Sequence, residues 1–419
     1  MLYLFRIAVR NLSRNKFRTA VSILAIAVAV MIVVMARGLI LGFLESTYSL
    51  YVDNVSGHVQ IVAEEYRPRS QLMTLEYPVD GFAGEGLNPM LNELREIEDV
   101  NEVLPRLKFG AMASPGDKVV RMIGTGVDPE AEERHGALPE DIQKGRMPES
   151  GREILVSAGL LEELEMGLGD RVTLVFNDFY QSLRGVTFKI VGVRETGITT
   201  FDDKMFYLPL STAQNVLHMD DMATEVLLMG DSTRQAYSLE ERVQSVIEES
   251  GGGEYYSALA WSRTDPMMQT LQVSEKIYDI IYVFFLLLGS FVVINTMIMI
   301  IKDRTREIGM MGALGLEGRS ILAIFAMEGT VMGFLGSLLG IIPGGLITYY
   351  LSQTGLDYYS RLMEQMEGMI FAPVIYPVFS LENLIYSFLL GVIITGLACL
   401  WPARRAARME PVDALRYNQ

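Results

Sequence analysis

Residues 302–319, KDRTREIGMMGALGLEGR, decide how the rest of the chain is read. They follow one uninterrupted apolar run and lead directly into another. The segment is too charged to sit in lipid and too short to be a domain. Its charges bracket the small residues Gly309, Gly312, Ala313 and Gly315, so another surface can approach this backbone closely. Position and composition together make it a docking loop between two membrane spans.

Outward from this loop, half of the 419 residues are hydrophobic, and they are bunched. Runs at 20–44, 277–301, 321–351 and 384–401 each suffice to cross ~30 Å of hydrocarbon at ~1.5 Å per residue. The net charge of −16 conceals a split. Residues 1–19, 302–319 and 402–419 together hold 13 basic and 5 acidic side chains, whereas residues 45–276 hold 20 basic and 40 acidic ones. The positive-inside bias therefore predicts both termini and the 302–319 loop in the cytoplasm, with residues 46–276 on the far side. The first run is too long for a secretory signal peptide and does not end in a convincing small-x-small cleavage site before the acidic segment. The single cysteine, Cys399, lies within the fourth run and reads as a small packing residue.

Residues 1–19 read as an amphipathic helix on the membrane surface, with Leu2, Phe5, Val9 and Leu12 at helical spacing and Arg6, Arg10, Arg14 and Arg18 every fourth residue. A first span and stalk follows at 20–45, with Arg37 expected to snorkel at the outer interface. Residues 46–276 alternate strand and helix signals, which predicts an α+β domain. Its expected strands are 57–63, 118–127, 153–157, 171–176, 186–193 and 225–229, and its helices 89–97, 158–165, 209–217 and 238–249. The two strands within 171–193 form a hairpin with its tip at 177–185. Beyond lie a second span at 277–301, the 302–319 loop, a third span at 320–351, an acidic outer loop at 352–383, a fourth span at 384–401 that stops at Pro402, and a tail at 402–419. Gly336, Gly340 and Gly344 form a ridge for close helix packing, with a kink expected at Pro343. Asn295 reads as interhelical glue, and Glu328, a carboxylate inside a span, as a candidate functional group.

No His-Glu-x-x-His, paired cysteine, Gly-x-Ser-x-Gly or Walker A pattern occurs, and His58, His135 and His218 lack metal-ligand spacing. Neither a catalytic nor a metal site is expected. The acidity of the largest soluble segment excludes nucleic acid as a partner. The spans hold too few ionisable residues for an ion pore, so energy for any transport comes from another protein.

The order of basic amphipathic helix, span, large outer domain and three further spans resembles the MacB/FtsX-type permeases of ABC transporters over essentially the whole chain. REIGMMGALG at 306–315 and PARRAARMEPVDALR at 402–416 are the most specific matches, supported by LSRNKFRTAVSILAIAVAV near the start and FKIVGVRETGITTFDDKMFYLPLSTAQ in the outer domain. The resemblance implies four transmembrane helices with a MacB-like α+β periplasmic core domain between helices 1 and 2. It implies a non-catalytic, multi-pass subunit of the bacterial inner membrane that binds no cofactor itself. ATP and Mg belong to a separate ATPase present in two copies, and the 302–319 coupling helix sits in a groove of an ATPase subunit. By position Arg306, Glu307, Ile308, Gly309, Met310, Met311, Ala313, Leu314 and Gly315 make that contact. A second permease subunit, identical or paralogous, completes the implied complex.

GLILGF at 38–43 and the GHVQI that follows look most like the lipoprotein-releasing LolC/LolE branch. That likeness implies a lipoprotein or other amphipathic client, released by mechanotransmission, and a periplasmic acceptor. The 177–185 tip is shorter than the hook with which such subunits hold the acceptor. Val33, Val34, Leu41, Phe284 and Leu288 are candidate client contacts on the first two spans. Within the same resemblance, the alternative activities are MacB-like efflux of drugs, peptides or toxins through an adaptor, and FtsX-like regulation of a cell-wall hydrolase.

Overall fold

A computed structural model describes residues 16–414 apart from 83, 115–117, 136, 150, 197–198, 357–373 and 411–413. The amphipathic helix expected at 1–19 lies almost wholly outside the described residues, as do the middle of the 352–383 loop and much of the tail. The chain divides into two compact units, one formed by Glu45–Gln272 with Asp357–Val374 and the other by the remainder.

Among the described residues the first unit carries a ten-stranded sheet: β1 (Val59–Ala63), β2 (Glu102–Ala113), β3 (Val120–Val127), β4 (Ile142–Gly145), β5 (Glu153–Ser157), β6 (Arg171–Asn177), β7 (Leu183–Arg194), β8 (Met205–Pro209), β9 (Glu225–Met229) and β10 (Tyr256–Ala260). The order is β10-β1-β9-β2-β3-β8-β5-β7-β4, with β6 pairing β2 and β7. Only β3 with β8 and β5 with β7 run parallel. The strands β2, β4, β8 and β10 are additional to those the residue alternation predicts. The β6–β7 turn is tighter than expected, because pairing persists from Asn177 against Leu183.

Helices α2 (Leu87–Arg95), α3 (Pro129–His135), α4 (Ala158–Glu163), α5 (Leu210–Leu217) and α6 (Ala236–Glu249) are interspersed, giving the expected α+β class. Leu87, Met90, Leu91 and Leu94 recur at helical spacing along α2 and, with Leu239, Val243 and Ile247 of α6, close one core over β1 and β9. A second core centres on Phe109, which meets Phe176 and Phe206 edge-on at ring-centroid distances of 5.4 and 5.7 Å. Gly124 lies against the last pair; a Cβ there would come within 2.5 Å of both Phe109 and Phe206.

The other unit contains the apolar runs. Helix α1 (Lys16–Tyr51), continued by a π-helical turn (Val52–Ser56), and helices α7 (Pro266–Asp303), α9 (Gly318–Thr354) and α10 (Leu381–Ala407) are each long and apolar enough to cross a membrane. Between α7 and α9 lies α8 (Thr305–Ala313). The glycine ridge packs on α1: a Cβ on Gly336 would lie 2.6 Å from Ile26 Cβ, and one on Gly340 2.5 Å from the Ala27 carbonyl oxygen. Cys399 is buried against Gly329, where a Cβ would approach it to 2.4 Å.

Three expectations need correcting. Pro402 does not stop the fourth span; α10 runs on to Ala407, because Pro402, Ala403 and Ala406 are buried and that packing offsets the backbone hydrogen bond proline cannot make. Arg37 does not snorkel. It is an inward ion pair with Asp279 at 3.1 Å, stacked 3.7 Å from the Tyr386 ring centre, and Tyr386 donates to the same carboxylate. Charge pairing and cation–π contact take the place of most of the hydration of Arg37, whose side chain is 14% exposed, while that of Asp279 remains 46% exposed. Val33 and Val34 are fully buried among the helices, so they pack the bundle and cannot meet a client.

Candidate functional site

The residues of the 302–319 loop build a short helix with defined ends. Arg304 leaves helical geometry at φ −106°, which separates α7 from α8. The Thr305 hydroxyl donates back to the Ile301 and Lys302 carbonyls at 3.2 and 2.9 Å. Glu307 stands in the first turn, the position where a carboxylate complements the positive end of the helix dipole. At the other end the Gly315 amide bonds the Gly312 carbonyl and the Leu316 amide bonds that of Met311, both at 3.0 Å, with Gly315 at φ +89°. This is a Schellman stop, and its left-handed residue is the glycine that such a stop favours.

One face of α8 is fixed to the bundle. Thr305, Ile308 and Gly309 are buried, and Arg304 turns inward to meet Glu328 of α9 at 3.4 Å, with side chains only 6% and 1% exposed. Glu307 adds a longer contact to Arg304 at 4.0 Å. Glu328 is therefore the acid that holds the base of the loop. At 100° per residue, positions 305, 308 and 309 share one side while 306, 310, 313 and 314 share the other. That outer side presents Arg306, Met310 (50% exposed), Ala313 and Leu314 (88%), with Gly315 exposed at its end. The docking set expected from sequence therefore splits. Ile308 and Gly309 are buried against the helical unit, Glu307 and Met311 are half-buried at the edge, and Arg306, Met310, Ala313, Leu314 and Gly315 are exposed.

In the sheet unit, the β6–β7 tip is held rigid by Asp178. Its carboxylate accepts from the amides of Tyr180 and Ser182 at 3.0 and 2.9 Å, from His218 at 3.1 Å and from Arg184 at 3.5 Å. Burial alone would raise the pKa of this group, but the amides, His218 and Arg184 together hold it below the usual carboxylate range. The tip presents Tyr180 and Leu183, each about 70% exposed.

The same unit grips the π turn that ends α1, a feature without a sequence signal. Arg106 donates to the Asn54 carbonyl at 2.7 Å, Arg194 donates to the Asn54 side chain, and Lys108 reaches the Val55 carbonyl at 3.4 Å. Arg106 and Glu132 form an almost fully buried pair at 2.9 Å. Arg194 is equally buried and pairs with Asp141 at 2.6 Å.

Of the remaining client candidates, Leu41 is half-buried, while Phe284 and Leu288 are exposed on α7. Asn295, also on α7, is exposed, and its side chain forms no hydrogen bond with another described residue. Among the described residues no group of three or more His, Cys, Asp or Glu side chains is placed to hold a metal ion.

Two family models match the chain. The MacB-like periplasmic core domain matches residues 19–246, and the FtsX-like permease C-terminal domain matches residues 280–411. A lipoprotein-releasing system transmembrane protein LolC from Xylella fastidiosa is 22% identical over 309 residues, covering 70% of this chain and 72% of its own. A LolE of the same system from Haemophilus influenzae is 25% identical over 342 residues, covering 77% and 79%. The crystal structure of the periplasmic region of MacB from Actinobacillus actinomycetemcomitans aligns with 53% of this chain and 95% of its own, at 15% identity and a TM-score of 0.34.

Proposed function

Because the chain belongs to the permease family marked by the MacB-like periplasmic core domain, we propose that it is the membrane subunit of a complex that releases lipoproteins from the outer leaflet of the bacterial inner membrane. A separate ATPase, in two copies, supplies the energy on the cytoplasmic side. The domain of residues 46–276 stands in the periplasm, and a second permease subunit completes the assembly.

The observation that carries this reading is the two-sidedness of α8. A helix of nine residues is too short to hold itself together in water. Buried Ile308 and the Arg304–Glu328 pair fix its inner side, while Met310 and Leu314 stand out from its other side. Two large apolar side chains at (i, i+4) spacing on an exposed helix form an anchor for a hydrophobic groove, and Arg306 sets the register at the rim. Closure of the ATPases on this anchor is carried through Arg304 and Glu328 into α9, and the helices move the outer domains as near-rigid bodies. Asn295 supports the second subunit, since a polar amide on a lipid-facing surface is better satisfied across a helix–helix contact.

The decisive experiment is reconstitution of the permease with its ATPase in proteoliposomes loaded with a triacylated lipoprotein or its unacylated form. ATP hydrolysis stimulated by the acylated client, with release of that client into solution, is the expected result. Indifference of hydrolysis to the client, with none leaving the membrane, rejects lipoprotein release. Loss of ATPase capture on Leu314→Glu, with the permease still folded, supports the anchor; undiminished capture rejects it.

A further inference from the structure

A recess of about 440 Å³ opens between the last turn of α7 and the end of α10, within the helical unit. Its walls are Ile298 and Ile301 on one side and Pro402 on the other, and its rim carries Lys302, Arg405 and Arg408. None of these three cations forms an ion pair or side-chain hydrogen bond with another described residue, and all three are exposed. One acid, Glu410, shares the rim. The volume falls in the range of small-ligand sites, roughly 300–1,000 Å³.

The helix above the recess gives the ligand its second half. Ile393, Leu397 and Trp401, exposed by 54, 58 and 60%, succeed one another at four-residue spacing along α10, and the next position in that series is Arg405. Residues at i and i+4 stand one above another on a helix surface. Ile393 to Arg405 thus forms a single ridge of ~18 Å at ~1.5 Å per residue, about the depth of one leaflet, apolar until its cationic foot. Trp401 stands one turn before the charge, where an indole marks the boundary between hydrocarbon and water.

We propose that this ridge and recess bind one anionic phospholipid, its acyl chain lying along Ile393, Leu397 and Trp401 and its phosphate held by Lys302, Arg405 and Arg408. The site is directly adjacent to α8, since Thr305 also lines the recess. An occupied site fixes the end of α10 against the base of the coupling helix. The proposal rests on the membrane-spanning reading of the chain and is independent of the ATPase and the cargo.

Trp401 is its own reporter, because the other tryptophan, Trp261, is buried in the sheet unit at 3% exposure. The full chain is placed in bilayers of phosphatidylcholine containing brominated phosphatidylglycerol or brominated phosphatidylcholine, and quenching of Trp401 gives the ratio of association constants. A clear preference for phosphatidylglycerol is expected. Lys302→Gln, Arg405→Gln and Arg408→Gln should each lower it about fivefold, taking ~1 kcal/mol per basic residue near an anionic surface. Glu410→Gln should raise it by a similar factor. Arg404→Gln, which removes an exposed charge outside the recess, should leave it unchanged, and Arg405→Lys should retain it. Equal quenching by both lipids overturns the proposal. So does an unchanged preference in the triple variant, whether or not that variant loses its ATPase, since the cations then serve a protein surface. Displacement of the lipid by millimolar inorganic phosphate would instead assign the recess to a free phosphate and also overturn it.

Discussion

Glu328→Gln keeps the size of the side chain and removes its charge. Arg304, 6% exposed, would then keep Glu307, at 4.0 Å, as an acidic contact. Removing one partner of a buried ion pair costs about 3–5 kcal/mol, because the surviving charge stays desolvated. For a unit of this size, each kcal/mol moves the melting midpoint by about 2–4 °C, so the expected loss is roughly 6–20 °C, with the Glu307 contact favouring the lower part of that range. Cys399 allows a direct measurement. It is the single thiol in the sequence and is fully buried in the bundle beside Gly329, so a thiol-reactive fluorophore stays dark until the helices separate. Heating the purified chain with such a dye gives the midpoint for this unit. In the double variant Arg304→Met, Glu328→Met no charge is buried, and most of the lost stability should return. A midpoint for Glu328→Gln within about 2 °C of the parent, or a double variant no better than the single, would refute the view that this pair holds the base of α8.

Other outcomes rest on individual residues. Gly315→Ala forces a Cβ into a left-handed conformation at φ +89°, at a cost of about 1–2 kcal/mol confined to the end of α8. It should weaken ATPase capture while leaving the Cys399 melting curve almost unmoved. Gly340→Ala places a methyl against the Ala27 backbone and should cost about 1–3 kcal/mol in the same thiol assay, with no direct effect on the sheet unit. His58 accepts a hydrogen bond from the Gly230 amide at 3.2 Å, and burial holds its imidazole below its usual range although Asp53 pulls the other way. Its contribution to stability is therefore complete above the unfolded histidine value of about 6.5 and is lost as pH falls through that value toward the folded one. Denaturant midpoints read from Trp261 fluorescence should fall between pH 8 and 5, and His58→Gln should flatten that fall.

The membrane spans were legible in the sequence because about twenty apolar residues in a row have few other uses, and the loop between them because its charges interrupt two such runs. Strands with clear alternation or flanking turns, such as β6 and β7, were legible for the same kind of reason. β2 was not, because Pro105 sits inside it, paired against Val226, where a strand reading expects none. β8 and β10 are five residues each and largely buried, so they carry no alternation to read. Within the 302–319 loop, the sequence places Ile308, Met310, Met311 and Leu314 together as apolar residues near charges. Which of them face inward depends on where Arg304 bends the backbone and on Glu328, 24 residues away. The same blindness made Arg37 look like a lone cation, since Asp279 and Tyr386 reach it only after α1, α7 and α10 have packed.

The grip on the turn at Val52–Ser56 has a mechanical consequence. A regular helix end joined to its neighbour by a flexible loop can spin without moving that neighbour. Here two strands hold the terminal turn by its carbonyls and by Asn54, through Arg106 and Lys108 of β2 and Arg194 of β7. Any rotation of the Val52–Ser56 turn about its own axis must therefore break or drag contacts to two strands at once, so the turn is keyed into the sheet of its own unit.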